Sequence, residues 1–238
     1  MKQRLDQVLV VKGLLPTRSQ AENFIRLGDV TVNGKVVTKP GFMLNPNDTV
    51  ELTAKEQYVS RAGLKLASIA KILNLNFKGA VVLDVGSSTG GFTDYALQHG
   101  ADHVIAVDVG TNQLHPSLHG NPKIELYEQT DIRDVKALSR AADIVVIDVS
   151  FISLREILPT VAKLSTKGTK IAAMVKPQFE AGNNAKHKGV IKNDRMRRDI
   201  LQDFEMWAKK YFVVLDKADS EVAGTKGNRE RFYLLQKV

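Results

Sequence analysis

The 238-residue sequence has no cysteine and a single tryptophan, and aromatic residues make up only 6% of it. Without cysteine there is no disulfide, no thiolate zinc site and no thiol nucleophile, and a reducing compartment is permitted. No apolar run approaches the ~20 residues that a membrane-spanning helix requires. The opening stretch MKQRLDQVLVVKG does not fit a signal peptide, because Asp6 and Lys12 interrupt it and no small-residue cleavage site follows. The expected location is therefore the cytoplasm, with no membrane among the partners. No metal site is expected either, since His187 has no second ligand at metal-binding spacing. Acidic residues are the minority charge, 26 Asp and Glu against 34 Lys and Arg. The resulting formal charge of +8 suits an anionic partner such as nucleic acid.

What is present divides into two textures. In residues 1–55, Leu5, Val8 and Leu9 share one helical face, and Ala21, Phe24 and Ile25 share another. Thr17 and Gln20 have the spacing of a capping box for the second helix. DVTVNGKVV then places Asn33-Gly34 between alternating strands, a hairpin signal. KPGFMLNPND reads as loop and TVELT as a closing strand. After a linker at residues 56–62, residues 63–238 alternate between strand and helix. The helix GLKLASIAKILN precedes the strand AVVLDV. Further strands are expected at HVIAVDV, IELYEQ, DIVVIDV, KIAAMV, FVVL and RFYLL, with helices at FTDYALQHG, LREILPTVAKL and MRRDILQDFEMWAKKY. This alternation predicts an α/β domain with a Rossmann-like, mostly parallel sheet. Too little sequence separates the last two strands for a helix, so the last strand is expected to be antiparallel.

The turn after AVVLDV identifies the class of ligand. A phosphate-binding loop would continue Gly-Lys-Ser/Thr, but Phe92 and Thr93 follow Gly91. A dinucleotide fingerprint would need glycine where Ser88 stands. Asp84, just before the turn, disfavours a phosphate and suits a cation. Asp108, at the end of the second strand, can accept hydrogen bonds from ribose hydroxyls. Asp131, expected at the end of the third strand, can meet an adenine amino group. An adenosine with a cationic, amino-acid-like tail, S-adenosylmethionine, satisfies all of these. A nicotinamide or flavin cofactor and a purely structural glycine turn remain the alternatives. The expected cofactor contacts are Asp84, then Gly86, Ser87, Ser88, Thr89, Gly90, Gly91 and Phe92 of the turn, Asp108 with Val109, and Asp131 with Ile132.

Ligands of open α/β sheets sit beyond the carboxyl ends of the strands. Asp148 ends the fourth strand and Lys176 the fifth, so both are expected in that crevice. A lysine at the end of a buried strand is costly without a partner. Asp148 is its natural one, and a purely structural ion pair is the competing explanation. Lys65, at the start of the helix before the first strand, and Glu230, at the entry to the last, complete a lysine–aspartate–lysine–glutamate set. Such a set fits methyl transfer to a ribose hydroxyl, in which Lys176 takes the hydroxyl proton or orients the hydroxyl. The absence of cysteine and of an N-P-P-aromatic turn disfavours methylation at cytosine C5 or at an amino group.

DVGSSTGGFTDY, VDVG, VVIDVSFIS, MVKPQFE with HKGVI, and KGNRE together resemble the hemolysin A (TlyA) family, whose catalytic part is similar to FtsJ-type ribose methyltransferases. The resemblance implies 2′-O-methylation of ribosomal RNA, typically at cytidine, with ribosomal RNA or ribosomal subunits as partners. It places the family's catalytic set on Lys65, Asp148, Lys176 and Glu230. One departure is Arg231 directly after Glu230, where members of that family usually carry an aromatic. RLDQVLV, TRSQAENFIRLGDVTVNGK and VTKPG resemble the αL RNA-binding fold of the fourth small-subunit ribosomal protein. That region carries eight basic residues against five acidic. Arg4, Arg18, Arg26, Lys35 and Lys39, with Arg61, are its candidate phosphate contacts, and Lys186, Lys188 and Lys192 are those of the segment following Lys176. The scarcity of aromatics favours gripping folded RNA over stacking on single strands. A non-catalytic ribosome-assembly factor is the alternative. A cytolysin, which the family name suggests, would need an amphipathic hairpin or spanning helix that the sequence does not show.

Overall fold

The computed structural model describes residues 2–15, 18–53, 58–182, 189–224 and 227–238. The chain divides into two compact units, Met1–Arg61 and Ala62–Val238.

In the first unit a two-residue strand β1 (Gln3–Arg4) leads into helices α1 (Leu5–Val11) and α2 (Arg18–Leu27). Strands β2 (Val30–Val32), β3 (Lys35–Val36), β4 (Met43–Leu44) and β5 (Val50–Leu52) follow. The two apolar helical faces meet over Leu5, Leu9, Ala21, Phe24 and Ile25, and Val30, Val32 and Val50 close the core from the sheet. Asn33 and Gly34 both take positive φ, 51° and 74°, as a two-residue hairpin turn requires. KPGFMLNPND is not wholly loop. Met43 and Leu44 pair antiparallel with Arg4 and Gln3, too few residues for any alternation to show in the sequence. The expected capping box lies outside the described residues, at Thr17 and at the side chain of Gln20.

The second unit runs α3 (Arg61–Ala70), β6 (Val81–Val85), α4 (Gly91–Gln98), β7 (His103–Val107), β8 (Ile124–Tyr127), β9 (Ile144–Ile147), α5 (Leu154–Leu164), β10 (Lys170–Val175), α6 (Pro177–Glu180), α7 (Asp194–Ala208), β11 (Phe212–Asp219) and β12 (Arg231–Lys237). Its seven strands are ordered β11-β12-β10-β9-β6-β7-β8. β12 runs antiparallel to both of its neighbours, and the pairs from β10 to β8 are parallel. The expected sheet, with its antiparallel last strand, is the one found. Leu83, Val85, Val145, Ile147, Ile171 and Ala173 pack one face against Ile157, Leu158 and Val161 of α5 and Leu201 and Phe204 of α7. The chain first adds β7 and β8 on one side of β6 and then returns to add β9 on the other. This reversal opens a crevice at the carboxyl edge between β6 and its neighbours.

Candidate active site

The crevice encloses about 500 Å³, within the usual range for a small-molecule site. The end of β6 and the turn after it supply Val85, Gly86 and Ser88, and the end of β7 and the loop after it supply Val107, Asp108 and Val109. Thr130 to Arg133 form one wall, and Asp148 to Ile152 with Ile157 form another. Gly86 has φ +80°, and a Cβ there would stand 2.9 Å from the Asp148 carbonyl oxygen. The turn therefore needs glycine both for its backbone angle and for the close approach of the β9 loop. Gly86→Ala is expected to push these two loops apart and to abolish cofactor uptake, read by calorimetry, while the far-UV circular dichroism of the sheet persists.

Asp108 stands just past the last residue of β7. Its two oxygens accept from Ser88 N–H at 2.8 Å and Gly110 N–H at 2.7 Å, so it ties the glycine turn to the next strand end. Each oxygen keeps a further lone pair. Asp131 corrects an expectation. β8 stops at Tyr127, and Asp131 lies beyond it, capping a short 3-10 turn by accepting from Arg133 N–H at 2.9 Å. Its carboxylate pairs with the Arg133 guanidinium at 2.7 Å, and the hydrogen bonds from Arg133 hold it below the usual carboxylate range. Ile132, beside it, is buried and lines the crevice.

Asp84 corrects another. It lies within β6, and its side chain points away from the crevice, fully buried, accepting from the Thr93 hydroxyl at 2.7 Å. Through that bond it anchors the first turn of α4, and its other oxygen accepts no hydrogen bond among the described residues. Ser87, Thr89, Gly90, Gly91 and Phe92 likewise do not line the crevice. Gly90 is packed against Leu114 and Leu118, where a Cβ would come within 2.7 Å of Leu114 and 2.6 Å of Leu118. Burial pushes the Asp84 carboxyl up to about 7; the Thr93 hydrogen bond opposes this, and the charge of Asp148 adds to it. An acid whose proton is held more tightly in the folded state contributes stability that is fully present below its ordinary value. That contribution is lost as pH rises from about 4 to about 7. Asp84→Asn should therefore gain on the parent protein across that window, by a few kcal/mol in total, in denaturant titrations at each pH.

The chemistry-bearing side chains form two buried ion pairs. Lys176, immediately after β10, sets its Nζ 2.5 Å from Asp148 Oδ1, immediately after β9. The same ammonium donates to Ser150 Oγ at 2.8 Å. Lys65, on α3, sets its Nζ 2.5 Å from Glu230 Oε2. Arg231 is in register with Val175, so Glu230 emerges beside Lys176 at the same edge. Arg231, the departure noted above, leaves Glu230 on the side of Lys65. β12 lies inside the sheet, and Arg231 faces the other way, to Asp219 at 2.6 Å. Gly224 leaves room for the glutamate, since a Cβ there would stand 2.7 Å from Glu230 Oε1.

Ser150 and Phe151 were not singled out from the sequence. Phe151 is 91% exposed at the crevice mouth with φ 66°, rare for a bulky residue, and its ring lies 5.2 Å from that of Phe179. The only sequence signal was an aromatic in a loop directly after a strand-end aspartate. Arg133, Gln113 and Thr130 were also missed as lining residues.

In the first unit, Asp6 is fully buried and accepts from Arg4 at 3.0 and 2.7 Å and from Arg18 at 2.9 Å. Those bonds bring its carboxyl down to about 2. The two arginine side chains remain 40% and 52% exposed, oriented by one carboxylate. Arg26 pairs only at 3.9 Å, with Glu22, and Lys35 and Lys39 are exposed. Arg61 is half-buried at the start of α3 and Lys192 is exposed, whereas Lys186 and Lys188 lie outside the described residues.

This strand order, with a glycine turn and strand-end carboxylates around a nucleoside-sized crevice, defines a Rossmann-like methyltransferase domain. The chain belongs to the FtsJ-like methyltransferase family, whose model matches residues 58–237, and residues 3–50 match the S4 domain. It is 36% identical over 241 residues to the 16S/23S rRNA (cytidine-2′-O)-methyltransferase TlyA of Mycobacterium tuberculosis, covering 98% of this chain and 89% of that one. It is 34% identical over 232 residues to Hemolysin A of Brachyspira hyodysenteriae, covering 95% and 97%. A solved structure of a Streptococcus thermophilus protein, described as a hemolysin, superposes with a TM-score of 0.77 at 36% identity, covering 100% of this chain and 89% of that one.

Proposed function

We propose that this protein methylates a ribose 2′-hydroxyl of ribosomal RNA, at cytidine, using S-adenosylmethionine. The observation that carries the reading is the Lys176–Asp148 pair at the lip of the crevice. Three features support the cofactor: the Gly86 cradle that a Cβ would fill, the Asp108 carboxylate at a strand end, and the size of the crevice. When bound, S-adenosylmethionine supplies an electrophilic methyl on a sulfonium. Asp108 holds the ribose hydroxyls, Asp131 and Ile132 hold the adenine end, and Val109 covers one side. Lys176, once its ammonium has released a proton to solvent, orients the attacking hydroxyl and as the free amine receives its proton, and Asp148 and Ser150 fix the direction of the amine. Lys65 and Glu230 hold the neighbouring strand end.

Phe151 gives the target base an exposed ring to stack on beside that amine. Phe151→Ala is expected to lower methyl transfer by about five- to 150-fold, the equivalent of about 1–3 kcal/mol of lost stacking, with cofactor affinity unchanged. The S4 domain supplies phosphate contacts through Arg4 and Arg18. Among the described residues no helix is long and apolar enough to cross a membrane.

The test is methyl incorporation by the purified protein into ribosomal RNA and subunits from cells lacking the gene, with the labelled nucleotide mapped. Label in 2′-O-methylcytidine is the expected result. Label in a base, or uptake of a nicotinamide nucleotide with none of the sulfonium nucleoside, overturns the reading.

A further inference from the structure

Away from the crevice, α7 and the two outer strands enclose a second concavity of about 370 Å³. Four of its lining side chains are cationic, Arg198, Lys209, Lys217 and Arg231, and one is anionic, Glu205. That glutamate is held by two cations, Lys209 at 2.9 Å and Lys217 at 2.6 Å. Asp219, beside the groove, is surrounded by three: Arg231 at 2.6 Å, Arg197 at 2.7 Å and Arg229 at 4.0 Å. Arg198 forms no ion pair among the described residues. Each carboxylate is therefore outnumbered, and the groove keeps a positive excess. The floor is Tyr233, fully buried, whose hydroxyl donates to the Leu201 carbonyl at 3.1 Å. The floor thus offers a low-dielectric wall. Over such a wall the excess charge is focused on what enters from solvent.

The groove is also placed usefully. Arg231 is in register with Val175, the residue before Lys176, and Tyr233 with Ala173. The cationic lining thus starts at the edge that carries the catalytic lysine and runs back from it along the α7 face. Arg198, Lys209 and Lys217 are exposed, as suits a surface that tracks a polymer rather than a cage around a small anion.

We propose that this groove is a second RNA-backbone site, holding phosphates of the strand that flanks the target nucleotide. The inference rests on the reading of RNA as the substrate. It makes the methyltransferase unit itself, and not only the S4 domain, a contributor to RNA affinity. Its test uses the full chain and the double variant Arg198→Ala/Lys209→Ala, neither residue having been placed in the catalytic machinery. Affinity for a ribosomal RNA fragment is measured by anisotropy from about 50 to 200 mM salt, where each phosphate contact contributes about 0.9 to the slope of log affinity on log salt. The expected result is a roughly tenfold loss of affinity at the low end and a slope shallower by about two, with thermal midpoint and S-adenosylmethionine affinity unchanged. Arg198→Lys should behave as the parent and Arg198→Glu worse than alanine. Unchanged affinity and slope in the double variant overturn the proposal. So does inorganic phosphate that shifts the groove's resonances without competing with RNA, which marks a small-anion site. A parent protein that binds no RNA at all instead refutes the substrate reading beneath it.

Discussion

Lys176→Ala is expected to lower methyl transfer by about 10³-fold, in the range typical for loss of a positioned acid–base group. RNA affinity and S-adenosylmethionine affinity should stay at parent values. The ammonium sits 2.5 Å from Asp148 and donates to Ser150 at 2.8 Å, so its direction is fixed before substrate arrives. Its removal also takes the counter-charge from Asp148, whose side chain is 15% exposed. Lys176→Arg sharpens the result. Guanidinium keeps the charge and the pairing but cannot exchange a proton near neutral pH. A role in proton removal predicts that the arginine variant is as inactive as the alanine variant. Parent-like turnover in Lys176→Arg would reduce the residue to a fixed charge.

Glu230→Gln carries the second large effect, on stability as well as rate. Lys65 and Glu230 are 9% and 3% exposed and pair at 2.5 Å. Removing one partner leaves an ammonium buried without its counter-charge, a loss of about 3–5 kcal/mol. Chemical denaturation should show that loss, and methyl transfer should fall with it. The double variant Lys65→Met/Glu230→Met separates the two effects. With both charges gone, most of the stability should return, whereas activity should not. Recovery of activity together with stability would make the pair structural only.

The fold could be read from the sequence because its strands are long and buried on both faces. IVVI is a continuous apolar run, VVLDV is broken by Asp84 alone, and each is found where expected. The pairing of β1 with β4 was hidden because two residues carry no period. The end of β8 was misjudged because IELY lies half-exposed at the sheet margin, where little burial marks the boundary. The site shows the same division. Asp108, Asp148 and Lys176 each follow the last residue of a strand, so they are released from the pleat and can turn into the crevice. Asp84 lies inside β6, between Leu83 and Val85, which face α5 and α7. Strict alternation then commits Asp84 to the opposite face and to Thr93. A sequence shows which strand end carries a carboxylate more readily than which side of the pleat it takes. Phe151 stayed invisible for another reason, that an aromatic after a strand is expected to be packed, and here a left-handed backbone lifts it into solvent.

The position of β12 sets an order of events in biosynthesis. β11 is made before β12, yet its only partner in the sheet is β12, which also fills the place beside β10. Until β12 emerges, a nascent chain can assemble only the five parallel strands, leaving β10 as a raw margin and β11 with nothing to zip onto. The Lys65 counter-charge is delivered on the same late segment. Glu230 therefore reaches Lys65, and the place beside Val175 is filled, only when β12 docks between β10 and β11.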